Sequence, residues 1–134
     1  MVVDASVWVS ALVTHDAHHR ASRRWLRRHS TRGQSVVVPT LALVEVAGAI
    51  SRRTAEPALG RRAMEVILSL PRLRLVSLDP ELGREAGRLT ADHGLRGADA
   101  VYVASAVRHN LPLITLDEEL QVKVGRIVKI LRPS

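Results

Sequence analysis

The chain has 134 residues, 46% of them hydrophobic, with a formal net charge of +7 and a pI near 11.3. That length suits one domain, 1–134, with one core, and the absence of cysteine excludes a disulfide framework and any thiolate metal site. The basic balance suits a polyanionic partner, although it is carried by arginine with only Lys123 and Lys129 as lysines, a bias that genome composition alone produces, and the 2% aromatic content disfavours modules that stack bases on aromatic platforms.

In chain order, "MVV" before Asp4 reads as a short buried strand and "ASVWVSALV" as a brief helix. Residues Asp16 to His29 read as an amphipathic helix capped by Asp16. Ala17, Ala21, Trp25 and Leu26 lie on one side, and Arg20, Arg23, Arg24, Arg27 and Arg28 on the other. "SVVVP" is a second strand stopped by Pro39, and Thr40 is the expected N-cap of a helix running to Arg53. A helix over Pro57 to Leu70, a strand "LRLVSL" and a helix from Pro80 to Asp92 follow. Gly94 and Gly97 punctuate a loop. Ala98 to His109 is a helix, "LPLITL" a strand and "GRIVKIL" a final strand. Short apolar strands alternating with helices predict an α/β fold, a three-layer α/β/α sandwich around a mainly parallel sheet. The longest apolar stretch, Val36 to Ser51, is broken by Pro39 and Glu45, which argues against a membrane span. Asp4 stands where a secretory leader needs positive charge, so a cytoplasmic protein is expected.

Four carboxylates interrupt apolar segments. Asp4 and Asp117 follow predicted strands, Glu45 stands one turn into a helix after a strand, and Asp99 stands at a helix start. Each has a plain structural explanation when taken singly, as a cap, a dipole partner or a turn residue. In a parallel sheet, however, the carboxyl ends of the strands share one edge, and ligands bind there. Converging carboxylates repel, and burial opposes their ionisation. A divalent cation relieves both, and an all-oxygen set suits Mg²⁺ or Mn²⁺ better than Zn²⁺. Beneath a basic surface, such a site points to metal-assisted phosphodiester hydrolysis.

The segments "VVDASVWVS", "PTLALVEVAGAI", "GLRGADAVYVASAV" and "LPLITLDEEL", in this order and spacing, resemble the PIN-domain ribonucleases, and more narrowly the VapC-type toxins of toxin–antitoxin pairs. The resemblance spans nearly the whole chain. It implies a PIN fold and an endoribonuclease using Mg²⁺ or Mn²⁺ held by Asp4, Glu45, Asp99 and Asp117. Ser6 and Thr115 would assist at the metal site. It also implies RNA as substrate, a cognate antitoxin as protein partner and a homodimer. Glu118 and Glu119, directly after Asp117, are either a solvated helix start or an extra ligand source.

Other features are weighed on their residues. His15 and His19 have zinc-like spacing, but a cap at Asp16 leaves His15 outside the helix, so surface histidines are expected. The arginine face has two readings. It is a solvated face, or it binds a polyanion: Arg20, Arg24 and Arg27, together with Arg96, contact RNA phosphates, or the face takes an acidic antitoxin segment. The helix from Thr40 is apolar almost all round, which predicts a dimer or antitoxin contact. A phosphoacceptor receiver would need paired acids after the first strand and a late lysine. An aspartyl phosphatase would need Asp at position 6, where Ser6 stands. The alternative of another class is a non-catalytic basic module that binds RNA or protein, which leaves the four acids without a purpose.

Overall fold

The computed structural model describes residues 1–134. Five strands form one parallel sheet in the order β3–β2–β1–β4–β5. They are β1 (Val2–Val3), β2 (Val36–Pro39), β3 (Leu73–Val76), β4 (Leu113–Ile114) and β5 (Ile130–Leu131). Seven helices connect them: α1 (Ala5–Leu12), α2 (His19–Thr31), α3 (Thr40–Thr54), α4 (Pro57–Leu68), α5 (Pro80–His93), α6 (Gly97–His109) and α7 (Glu118–Val124).

The central strands β1, β2 and β4 are valine- and leucine-rich and fully buried, as strands covered on both faces must be. The strand β1 sits between β2 and β4, with Val2 opposite Val37 and Leu113, and Val3 opposite Ile114. The chain runs leftward from β1 to β2 and β3, then crosses back to β4 and β5 on the other side. Right-handed crossovers therefore assign α1–α4 to one face and α5–α7 to the other. The packing agrees: α1 lies on α2 and α3, and α3 on α4, whereas α5 lies on α6, which covers β1, β2 and β4. The carboxyl ends of β1 and β4 thus flank the topological switch point, where open α/β sheets leave a crevice.

Local chemistry sets the helix limits. The helix α5 begins with Pro80 after Asp79, whose Oδ1 accepts the Leu82 N–H at 2.7 Å, and it ends at Gly94 with φ +62°. Gly60 lets α4 approach α3, because a Cβ there would overlap the Ala47 carbonyl oxygen and the Ser51 hydroxyl.

Several sequence expectations are corrected. The helix α2 begins at His19, not at Asp16. The Asp16 carboxylate instead accepts the His18 N–H at 2.9 Å and pairs with Arg53 at 2.9 Å, which stabilises a turn and leaves Ala17 exposed. Thr40 is the first residue of α3 and caps nothing. Glu118 to Val124 form a separate helix, α7, held to the core by Leu120 and Val124 one turn apart. Of "GRIVKIL" only Ile130–Leu131 is strand, since residues 125–127 continue α7 as turns. The histidine reading holds in part: His15 is exposed outside any helix, but His19 is half-buried, with Nδ1 3.0 Å from the Ser10 carbonyl oxygen. No helix is long and apolar enough to cross a membrane.

Candidate active site

The residue after β1 is Asp4, and the residue after β4 is Thr115. Pairing of Val3 with Ile114 brings them side by side. The Asp4 N–H donates to the Ile114 carbonyl oxygen at 3.0 Å, so Asp4 continues the sheet ladder while its side chain turns to the crevice edge. Its carboxylate is buried, and two hydroxyls fix Oδ2: Thr115 Oγ1 donates at 2.6 Å and Ser6 Oγ at 2.8 Å. Ser6 also accepts the Leu116 N–H at 3.2 Å, and Thr115 accepts the Asp117 N–H at 3.0 Å. Two loops from opposite ends of the chain are locked together through one carboxylate oxygen.

Burial raises the Asp4 pKa above the ordinary carboxylate value, and the charge of Asp99 adds to the rise, while the two hydroxyls oppose it. Glu45, half-buried on α3, is also raised, first by burial and then by Asp4 and Asp99. Tyr102 Oη donates to Glu45 Oε2 at 2.5 Å and opposes that rise. Asp99 and Asp117 are joined by one cation: Arg96 Nε lies 2.9 Å from Asp99 Oδ2, and its Nη2 3.1 Å from Asp117 Oδ2. These acids hold the Arg96 guanidinium pKa above its ordinary value. Asp117 also caps α7, accepting the Glu119 N–H at 2.8 Å.

The structure therefore draws Asp4, Glu45 and Asp99 into one electrostatic neighbourhood, with Asp117 linked through Arg96. Ser6 and Thr115 support Asp4. The side chains do not form a ready-made metal cage, since no three His, Asp or Glu groups stand close enough to share an ion. The donor set nonetheless fits a hard divalent cation. Its donors are carboxylate oxygens, burial and neighbouring acids oppose the ionisation of Asp4 and Glu45, and a guanidinium bridges Asp99 and Asp117. Glu118 is turned away, paired with Arg132 at 2.7 Å, and Glu119 with Lys123 at 3.4 Å.

A cleft of about 500 Å³ opens beside the acids, lined by Ser6, Glu45, Asp117, His18, Arg52 and Arg53 among others. Sequence reasoning missed Tyr102, Arg52 and His18. Tyr102 was detectable as the one tyrosine, three residues after Asp99 on the same helix face. Arg52 was detectable as the cation seven residues after Glu45, on the same face of the helix from Thr40, whereas nothing in the sequence ties His18 to the acids. Arg20, Arg24 and Arg27 lie apart from the acids, on the exposed face of α2.

The sequence profile of the PIN domain matches residues 1–126. Comparison with curated proteins finds no match. Among solved structures, the Mycobacterium tuberculosis VapC20 toxin, described as cleaving the sarcin–ricin loop, superposes with TM-score 0.82 at 20% identity, over 98% of each chain. VapBC2 from Rickettsia felis, bound to a DNA fragment from its promoter, gives 0.74 at 13% identity, over 99% of this chain and 98% of that one. A Klebsiella pneumoniae toxin–antitoxin complex gives 0.70 at 15% identity, over 99% and 97%. At these identities the likeness concerns the fold.

Proposed function

Because the chain belongs to the PIN-domain family, we propose that it is a divalent-metal-dependent endoribonuclease, acting as the toxin of a toxin–antitoxin pair. The single observation that carries this reading is the coupled set of acids at the β1/β4 switch point, two of them, Asp99 and Asp117, bridged by Arg96. The family is one of nucleases, and similar folds include VapC toxins and VapBC complexes.

Mg²⁺ or Mn²⁺ would be held by Asp4, Glu45, Asp99 and Asp117, and when bound would supply the charge that polarises the phosphoryl group and activates water. Water adds to phosphorus, the bond to the leaving ribose oxygen breaks, and that oxygen takes up a proton. Thr115 and Ser6 hold one Asp4 oxygen in place, so the carboxylate pays no reorganisation on binding. Tyr102 does the same for Glu45. Arg96, whose side chain is 77% exposed and pairs with Asp99 and Asp117, would be free to hold a substrate phosphate if those two acids held a cation.

The proposed protein partner is a cognate antitoxin, a reading supported by the complexes among the structural relatives. The homodimer reading rests on the family resemblance and on the expected contact through α3. Sedimentation over a dilution series giving a monomer throughout would remove the dimer.

The decisive experiment is RNA cleavage with Mg²⁺ or Mn²⁺, with and without chelator. Chelator, Asp4→Asn and Asp99→Asn are each expected to abolish cleavage while circular dichroism stays unchanged. Undiminished cleavage in both variants would overturn the assignment. RNA binding without any cleavage would favour the non-catalytic basic module instead.

A further inference from the structure

The outer face of α2 breaks the usual rules for a stable helix. Arg20, Arg23, Arg24, Arg27 and Arg28 recur at spacings of three and four, where like charges face one another. No acid stands in the first turn to meet the helix dipole. All five arginines are exposed, and none has a carboxylate within ion-pair distance; Arg28 alone makes a hydrogen bond, to the Ser134 carbonyl oxygen at 3.3 Å. Only a narrow strip holds the helix down: Ser22 and Trp25 are buried, and Trp25 stacks on His29 with ring centroids 4.0 Å apart. A face that repels itself and lacks internal partners is complete only with an external polyanion.

The chemistry of the face selects among polyanions. The five arginines stand with His19 and Thr31 on one face of the helix, with no apolar side chain among them. Arg23 and Arg27 also border an apolar groove with Trp8, Leu12, Leu26 and Leu70, but Arg20, Arg24 and Arg28 do not, and a phosphate backbone needs only cations and donors. The face also has no ring for unpaired bases: Trp8, Trp25 and Tyr102 are all buried, and there is no phenylalanine. Duplex RNA is recognised by shape and backbone, without stacking. From Arg20 to Arg28 the row spans about 12 Å at the helical rise. It begins beside His18, which lines the cleft next to the acids together with the exposed, unpaired Arg52. The start of α2 thus adjoins the cleft that Arg52 also lines.

We propose that the outer face of α2 docks the backbone of duplex RNA, holding the stem of a folded RNA while an unpaired segment enters the cleft beside Asp117. The word substrate applies to that RNA only if the ribonuclease reading holds, but the binding surface stands without it.

The test is fluorescence anisotropy with the full chain and EDTA, so that no cleavage occurs, over a range of salt. The probes are a labelled RNA hairpin, an unpaired RNA of equal length, a DNA hairpin of the same sequence and polyglutamate of equal charge. The RNA hairpin is expected to bind about tenfold more tightly than each other probe, with a steep salt dependence. Arg20→Gln/Arg24→Gln/Arg27→Gln is expected to erase that preference and lower the salt slope by about three. Thermal melting should show this variant at least as stable as the parent, since it removes self-repulsion. With Mg²⁺ or Mn²⁺ present, the variant should raise KM for a hairpin more than KM for a short unpaired RNA. Equal binding of paired and unpaired RNA, an unchanged triple variant, an equally bound DNA hairpin, or tighter binding of polyglutamate would each overturn the proposal. Hairpin binding that depends on these arginines, in a protein that never cleaves, would remove the ribonuclease reading and leave this one intact.

Discussion

The crevice at the sheet edge and the outer face of α2 are opposite solutions to holding charge. In the crevice, acids from four separate elements are buried or half-buried and cross-braced by Ser6, Thr115, Tyr102 and Arg96. On α2, arginines from one helix stand in solvent with no brace. Braced, buried charge acts as a unit, so losing one member disables the whole. Exposed, redundant charge acts additively, so losing one member weakens it by a fraction.

Four experiments sharpen or break this contrast. The largest effect is expected from Asp4→Asn, which should lower cleavage by on the order of 10³-fold, comparable to losing a preorganised charge-stabilising group. The same change should stabilise the metal-free fold. Burial raises the Asp4 pKa in the folded state, so folding favours the protonated form. Stability is then greatest below the ordinary carboxylate value and falls as pH rises through the raised one. Asparagine removes that loss while still accepting from Ser6 and Thr115, so a higher Tm than the parent's is expected near neutral pH. In the parent, Mg²⁺ or Mn²⁺ should raise Tm by mass action, and in Asp4→Asn it should not. A variant that melts lower in the absence of metal would show that the carboxylate is not under strain.

Next, Thr115→Val keeps the shape and removes the hydroxyl shared by Asp4 and Asp117. A loss of about 10- to 100-fold in cleavage or metal affinity is expected, as for other groups that orient ligands. Smaller is Tyr102→Phe, read from a pH–rate profile. The tyrosine hydrogen bond lowers the Glu45 pKa against burial. Its removal raises that pKa further, so the acidic limb of the profile should move to higher pH. An unmoved limb would exclude Glu45 as the group that titrates there. Smallest is a single Arg24→Gln, for which affinity for an RNA hairpin should fall about two- to fivefold and the salt slope by about one. A loss as large as that of the triple variant would mean that α2 holds one specific contact and not a distributed face.

The order of strands along the chain, the helices other than α7, the parallel sheet and the placement of Asp4 and Asp117 at its edge were legible because each rests on local pattern, whereas the position of Asp99 depends on tertiary packing. Valine runs, Pro57 and Pro80 at helix starts and isolated acids inside apolar segments need no tertiary information. What was hidden depends on partners distant in sequence. Asp16 looks like a cap until Arg53 draws it into a turn, 37 residues away. The helix α7 is one turn of apolar spacing, Leu120 and Val124, too short to show a period. The Arg96 bridge gains meaning only when β4 returns next to β1. The exposed side of α3 at Val44 carries the expectation of two-sided burial without a partner in view.

The pairing of β1 with β4 also sets a timetable. Val2 and Val3 find Leu113 and Ile114 only after more than a hundred further residues have been made. Until then the middle strand has one neighbour, and Asp4 lacks the Thr115 hydroxyl that orients it. Contacts of such high sequence separation form late. The crevice proposed for cleavage therefore takes shape only after the segment around Thr115 has been made.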